Sequence, residues 1–165
     1  MSNPSKDKGT RFETAVADYL RWALGDARIQ RLTLHGNKDI GDIGNVFFHG
    51  QPVVVECKAT KNPGWSKHWR ECEIEMGNRD TEYGWVIRKR TRIGIDTRDK
   101  MGEHLAYTRK QTYFQMADML DNLEIANQFD VWSEPIPRNP LLIGLNLHHF
   151  ALLLNHGLPL GPDQE

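Results

Sequence analysis

Val53-Val54-Val55-Glu56-Cys57-Lys58, with Gly41-Asp42-Ile43 ahead of it, is the stretch on which the fold turns. Three valines without a turn former read as a buried strand. Side chains alternate along a strand, so Glu56 and Lys58 share one face while Val53, Val55 and Cys57 share the other. A carboxylate and an ammonium at the end of a core strand need partners, because an unpaired buried charge is costly. Ile43 to Phe48 is a second strand-like run, and His49-Gly50-Gln51-Pro52 is the turn between the two. Folding back at that turn brings Asp42 to the Glu56–Lys58 end. Two carboxylates and a lysine then converge, an oxygen-rich setting that suits Mg²⁺ with water and substrate phosphate. The competing reading of Glu56 and Lys58 is a solvated salt bridge worth about 0–1 kcal/mol.

The chain opens on a helical pattern. Phe12, Val16, Tyr19, Leu20 and Ala23 recur at helical spacing within a segment entered through Lys8-Gly9-Thr10-Arg11-Phe12-Glu13. Glu13 has two readings. Thr10-x-x-Glu13 matches a capping box at the helix start. From a first turn, Glu13 also reaches toward a metal held by Asp42 and Glu56. The sequence leaves both open.

Lys8-Gly9-x-x-Phe12-Glu13, Gly41-Asp42-Ile43 and Val54-Val55-Glu56-Cys57-Lys58, in this order, resemble the PD-(D/E)XK nuclease superfamily. Within it, the spacing looks most like the archaeal-type Holliday-junction resolvases and their phage relatives. The resemblance implies a restriction-endonuclease-like α/β fold, a central mixed β-sheet flanked by helices. It implies that Asp42 and Glu56 hold Mg²⁺, with Mn²⁺ able to substitute. It further implies that Lys58 positions the attacking water, that Glu13 helps hold metal or water, and that the Cys57 carbonyl is a backbone ligand. The proline of the family pattern is Gly41 here. Asp39 competes with Asp42, which is preferred because the strand starts immediately after it.

Charge distribution points to the same half of the chain. The net charge is −1, yet residues 1–110 carry 20 Lys and Arg against 15 acids. Beyond residue 110 only Arg138 stands against seven acids. Phosphate contacts need Lys and Arg near the scissile bond. Lys8, Arg11, Lys61, Lys67, Arg88, Lys89, Arg90 and Arg92 are the expected DNA contacts, with His35 at the end of a first strand, Arg28 to Leu34. The alternative for the Arg88–Arg92 cluster is a solvated strand end.

A chain of 165 residues suits one core. No apolar run is long enough to span a bilayer, and two cysteines without ligand spacing fit a reducing cytoplasm. After the hairpin the pattern predicts a short helix over Trp65 to Glu75, a strand over Trp85 to Lys89, a last strand over Leu105 to Thr108 and a helix over Lys110 to Asn122. Residues 1–128 then form the nuclease-like domain. In residues 129–165, Pro135, Pro137 and Pro140 read as a linker from Val131 to Pro140. The strongly apolar Leu141 to Leu154 reads as an extension packed on the core or on a dimer partner. His148, His149 and His156 lack acidic or cysteine company and are not read as a metal site.

The function expected is metal-dependent endonucleolytic cleavage of branched DNA, a four-way junction above all, by a homodimer. Two rivals stand beside it: a linear-DNA exonuclease or restriction-type enzyme on the same fold, and a DNA-binding module without chemistry.

Overall fold

The computed structural model describes residues 3–33 and 38–162. Its first helix, α1, spans Pro4–Leu24. The Asn3 side chain caps it by accepting from the Ser5 and Lys6 N–H groups, and Pro4 fits the first turn, where no backbone donor is needed. Gly25 ends it in the left-handed conformation at φ 60°. The helix therefore begins well before Thr10, so the expected capping box does not form. Thr10 and Glu13 lie in the helix interior. Phe12, Val16, Ala17, Tyr19, Leu20 and Ala23 are its buried face.

The strands are β1 (Gln30–Arg31), β2 (Ile43–Gly44), β3 (Phe47–Phe48), β4 (Gln51–Lys58), β5 (Tyr83–Arg88), β6 (Leu105–Arg109), β7 (Glu134–Ile136) and β8 (Asn139–Asn146). Among the described residues they form one mixed sheet in the order β1-β2-β4-β5-β6-β8-β7, with β3 also paired to β4. The β4–β5 pair is parallel and the rest are antiparallel. A parallel pair needs a crossover, supplied here by α2 (Trp65–Arg79). The other helices are α3 (Arg98–Gly102), α4 (Lys110–Ala117), α5 (Leu123–Trp132) and α6 (Leu147–Leu154). The architecture is α/β, a mixed sheet flanked by helices.

Alternation along β4 and β5 divides the core. Val53, Val55, Cys57, Trp85 and Ile87 pack with α1 and α6. Val54 and Val86 pack on the other face with Trp69 and Cys72 of α2. Gly84 lets α2 lie close on β5: a Cβ there would sit 2.5 Å from Met76 Sδ and 3.0 Å from Cys72 Sγ.

Several boundaries differ from the sequence expectation. The run Ile43 to Phe48 is broken at Asn45, whose φ of 64° separates β2 from β3. The first strand contracts to two residues within the described part, and Leu34 lies outside it. The helix from Lys110 ends at Ala117, because Asn122 caps α5 by accepting from the Glu124 and Ile125 N–H groups. The segment read as a linker instead carries the end of α5, the edge strand β7 and the start of β8. An edge strand tolerates proline, since its outer side asks for no donor. The apolar Leu141 to Leu154 divides between β8, paired to β6, and α6, whose Leu147, Phe150, Ala151, Leu153 and Leu154 are buried in this chain's own core. Their burial removes the apolar stretch as an argument for a dimer face. No helix of the described residues is long and apolar enough to cross a membrane.

Candidate active site

The C-terminal end of β4 meets β2 on one side and α2 on one face, and the charged groups gather there. Asp42 is fixed through its backbone on both sides: its N–H donates to Val55 O at 2.9 Å, and its carbonyl accepts from Leu32 N at 2.7 Å. Its Oδ2 accepts from Cys57 N at 2.8 Å, so Asp42 is clamped to the strand that carries Glu56 and Lys58. Gly41 makes this turn possible at φ 103°, with a notional Cβ only 3.1 Å from Val55 O. Proline is locked near φ −65°, so glycine rather than proline is the residue this backbone requires at position 41.

Glu56 and Lys58 point to the α2 face together. Lys58 Nζ lies 3.1 Å from Glu56 Oε1 and 2.6 Å from Glu71 Oε2. Burial alone would pull the Lys58 ammonium down, but Glu71 and Glu56 outweigh it and hold its pKa above the ordinary value. Burial raises Glu56 to about 8, with Glu75 adding to it by hydrogen bonding and charge. Burial and the Glu56 charge likewise raise Asp42 to about 8. Glu75, buried on α2, is raised to about 7, chiefly by desolvation. The sequence pattern does not single out Glu71 and Glu75. Their signal is i,i+4 spacing on a crossover helix, which puts two carboxylates on one helical face.

Glu13 comes from α1 and pairs with Arg31, Nε to Oε2 at 2.7 Å. It is half-buried, and its charge acts on both Asp42 and Cys57. The Cys57 thiol is buried in the core; desolvation, then Asp42 and Glu56, push its pKa up, leaving it a packing group.

The expected DNA contacts separate into two kinds. Arg88 is turned inward at 7 % exposure. Its guanidinium donates to Thr60 O at 3.0 Å and Thr60 Oγ1 at 3.2 Å, and it lies over the Trp65 ring. It staples the loop after β4, which corrects its reading as a phosphate contact. Arg90 is also engaged, donating to Glu103 O at 2.8 Å and pairing with Glu134. Lys89 Nζ donates to Ile93 O at 3.0 Å, and its pKa is lowered by burial and by the nearby Lys8 charge. Lys8, Arg11, Lys61, Lys67 and Arg92 are exposed. His35 lies outside the described residues.

Comparisons with family models, with curated proteins and with solved structures return no match. Among the described residues, no three His, Cys, Asp or Glu side chains enclose a metal position by themselves. The donor set nevertheless fits a hard cation, because Mg²⁺ takes only one or two carboxylates and keeps several waters. Glu56 Oε2 and Glu75 Oε2 are buried and no other group donates to them, so a proton shared between the two carboxyls or a bound cation would offset their charge.

The raised carboxyls set a stability profile. A carboxyl whose native pKa lies above its unfolded value binds more protons in the folded state, so stability is lost as pH rises between the two values. For Asp42, Glu56 and Glu75 that window runs from their ordinary carboxyl range up to about 8, about 8 and about 7 respectively. In EDTA the melting temperature is expected to fall as pH rises through this window, and Mg²⁺ is expected to restore it most at the alkaline end. Thermal denaturation at several pH values checks this; a flat or rising profile in EDTA would contradict the raised pKa values of the buried carboxyls.

Proposed function

We propose that this protein is a cation-dependent endonuclease of branched DNA, with a four-way junction as its foremost substrate. The observation that carries the reading is the clamp of Asp42 onto the Cys57 N–H beside the Glu56–Lys58 pair. It joins two carboxylates and an ammonium at the end of a core strand, with exposed Lys8, Arg11, Lys61 and Lys67 elsewhere on the same half of the sequence.

Asp42 and Glu56 would hold Mg²⁺ or Mn²⁺, together with the Cys57 carbonyl. When bound, the cation lowers the pKa of a coordinated water and offsets charge developing on the phosphate. Lys58 acts as a donor, because an ammonium held above its ordinary pKa has no lone pair with which to take a proton. It orients the water or the phosphate oxygen, while Glu71 and Glu56 fix where it points. Glu13 acts through its charge and its Arg31 pair rather than as a helix cap. Exposed lysines and arginines hold the backbone phosphates without reading sequence. The two-fold symmetry of a junction is matched by a homodimer presenting one site to each of two strands.

A labelled four-way junction, a linear duplex and a single strand, each with Mg²⁺, Mn²⁺ or EDTA, test the reading. Paired symmetric nicks in the junction that vanish in EDTA are expected. Degradation of linear ends at the same rate would keep the chemistry and overturn the substrate. Binding without cleavage in either metal would leave a DNA-binding module.

A further inference from the structure

A groove of about 590 Å³ lies between the start of α2 and the turn joining β7 to β8. Pro63, Trp65 and Pro137 give it apolar walls, and Lys67 and Arg138 are its charged members. No carboxylate is among the described residues that line it. Lys67 and Arg138 are exposed, and neither forms an ion pair among the described residues. Arg138 is also the only Lys or Arg beyond residue 110, in a stretch with seven acids. Its φ of 60° is a conformation that favours glycine, which would bring no charge.

The aromatic wall is held in place. Arg88 Cζ lies 5.3 Å from the Trp65 ring centroid, and the Tyr107 ring meets it in a T-shaped contact at 5.5 Å. Tyr107 Oη donates to Trp65 O at 3.3 Å. Asn139 Nδ2 donates to Ser66 Oγ at 2.8 Å, which ties α2 to the start of β8. Trp65 is thus a fixed, half-buried ring in a groove with two unpaired cations. Single-stranded nucleic acid is bound by this combination: bases stack on aromatic rings while Lys and Arg follow the backbone. Paired bases are stacked on one another within the duplex, so an unpaired nucleotide is the one with a face to offer.

We propose that this groove holds an unpaired strand of DNA, with a base stacked on Trp65 and flanking phosphates on Lys67 and Arg138. This rests on the nucleic-acid part of the reading above and not on cleavage. It adds a single-stranded segment to the features by which a branched substrate is recognised. Lys67 and Glu71 lie one helical turn apart on α2, roughly 6 Å along its axis. Glu71 in turn holds Lys58. A strand seated in the groove is therefore led toward the end of β4.

Fluorescence anisotropy with the full chain in EDTA measures this without cleavage. The probes are a labelled oligothymidylate of about twelve nucleotides, within the usual range of single-strand site sizes, and an abasic strand of equal length. The unaltered protein is expected to bind the oligothymidylate more tightly. Trp65→Leu is expected to weaken that binding by about tenfold, the scale of one stacked base, and to leave the abasic strand unaffected. Lys67→Ala and Arg138→Ala should each flatten the plot of log affinity against log salt by about 0.7, one single-strand phosphate contact. Thermal denaturation confirms that each variant is folded. The abasic comparison and the two exposed cations keep the test in force if Trp65→Leu is not. Equal binding of both probes by the unaltered protein overturns the stacked base. Displacement by polyglutamate at matched charge, as effective as by unlabelled oligothymidylate, means a groove for acidic chains in general and overturns it too. No oligothymidylate binding by a protein that cuts the junction overturns this inference alone. Binding of neither oligothymidylate nor junction overturns the nucleic-acid reading with it.

Discussion

Lys58→Ala is expected to slow single-turnover cleavage of a junction by about 10²–10⁴-fold, the range for losing one positioned acid–base or charge-stabilising group. Cation binding should survive, since Lys58 supplies no ligand oxygen and its removal frees Glu56 Oε1. That split separates Lys58 from Asp42 and Glu56, whose loss should abolish cleavage and cation binding together. The fold should also survive. Glu71 is partly exposed and returns to solvent, and Glu56 can take up a proton because its pKa already lies near 8. Lys58→Arg is not expected to rescue. A planar guanidinium cannot occupy the compact position between Glu56 and Glu71 with the same donor directions. The measurement is a rate at saturating cation for each variant beside its Mn²⁺ affinity. Full activity in Lys58→Ala would remove the central chemical role from this residue, and Lys58 would then be a structural partner of two acids.

The legible part of this site is the part written along single strands. Period-two alternation makes Glu56 and Lys58 neighbours on one face, and a hairpin return brings Asp42 to the same end. Glu71 and Glu75 are harder. Their spacing shows that they share a helical face, but which way that face rolls on the sheet is set by Gly84, Cys72 and Met76. Charge density misleads in a similar way at Arg88. The sequence shows a basic cluster, while burial against Trp65 and the Thr60 carbonyl turns its first member inward. At the start of the chain, Asn3-Pro4 is a complete helix-start signal, and it outranks Thr10-x-x-Glu13 because it comes first and lets the helix run through. Near the end, prolines suggested a linker because composition does not distinguish a loop from an edge strand.

That last difference leads to the second large effect. A chain ending at residue 128 is expected not to fold, although the sequence pattern places the nuclease-like domain there. Such a chain lacks β8, the strand that pairs β6 along five residue positions from Leu105 to Arg109. It also lacks α6, which buries Leu147, Phe150, Ala151, Leu153 and Leu154. The link to the site is direct. Phe150 is fully buried, with its ring centroid 4.6 Å from that of Trp85. Trp85 pairs with Val55, the residue next to Glu56. Phe150→Ala is therefore expected to destabilise the full chain by about 3–5 kcal/mol, as for other large-to-small changes of a buried aromatic. Urea denaturation of the variant and circular dichroism of the truncated chain measure the two effects. A folded 1–128 fragment with cleavage activity would show that β4 and β5 hold the site without the last strand and helix. An unfolded fragment, with Phe150→Ala weakened to the stated extent, would mean that the apolar end of the chain is the floor on which Val55, Trp85 and the strand that carries Glu56 and Lys58 rest.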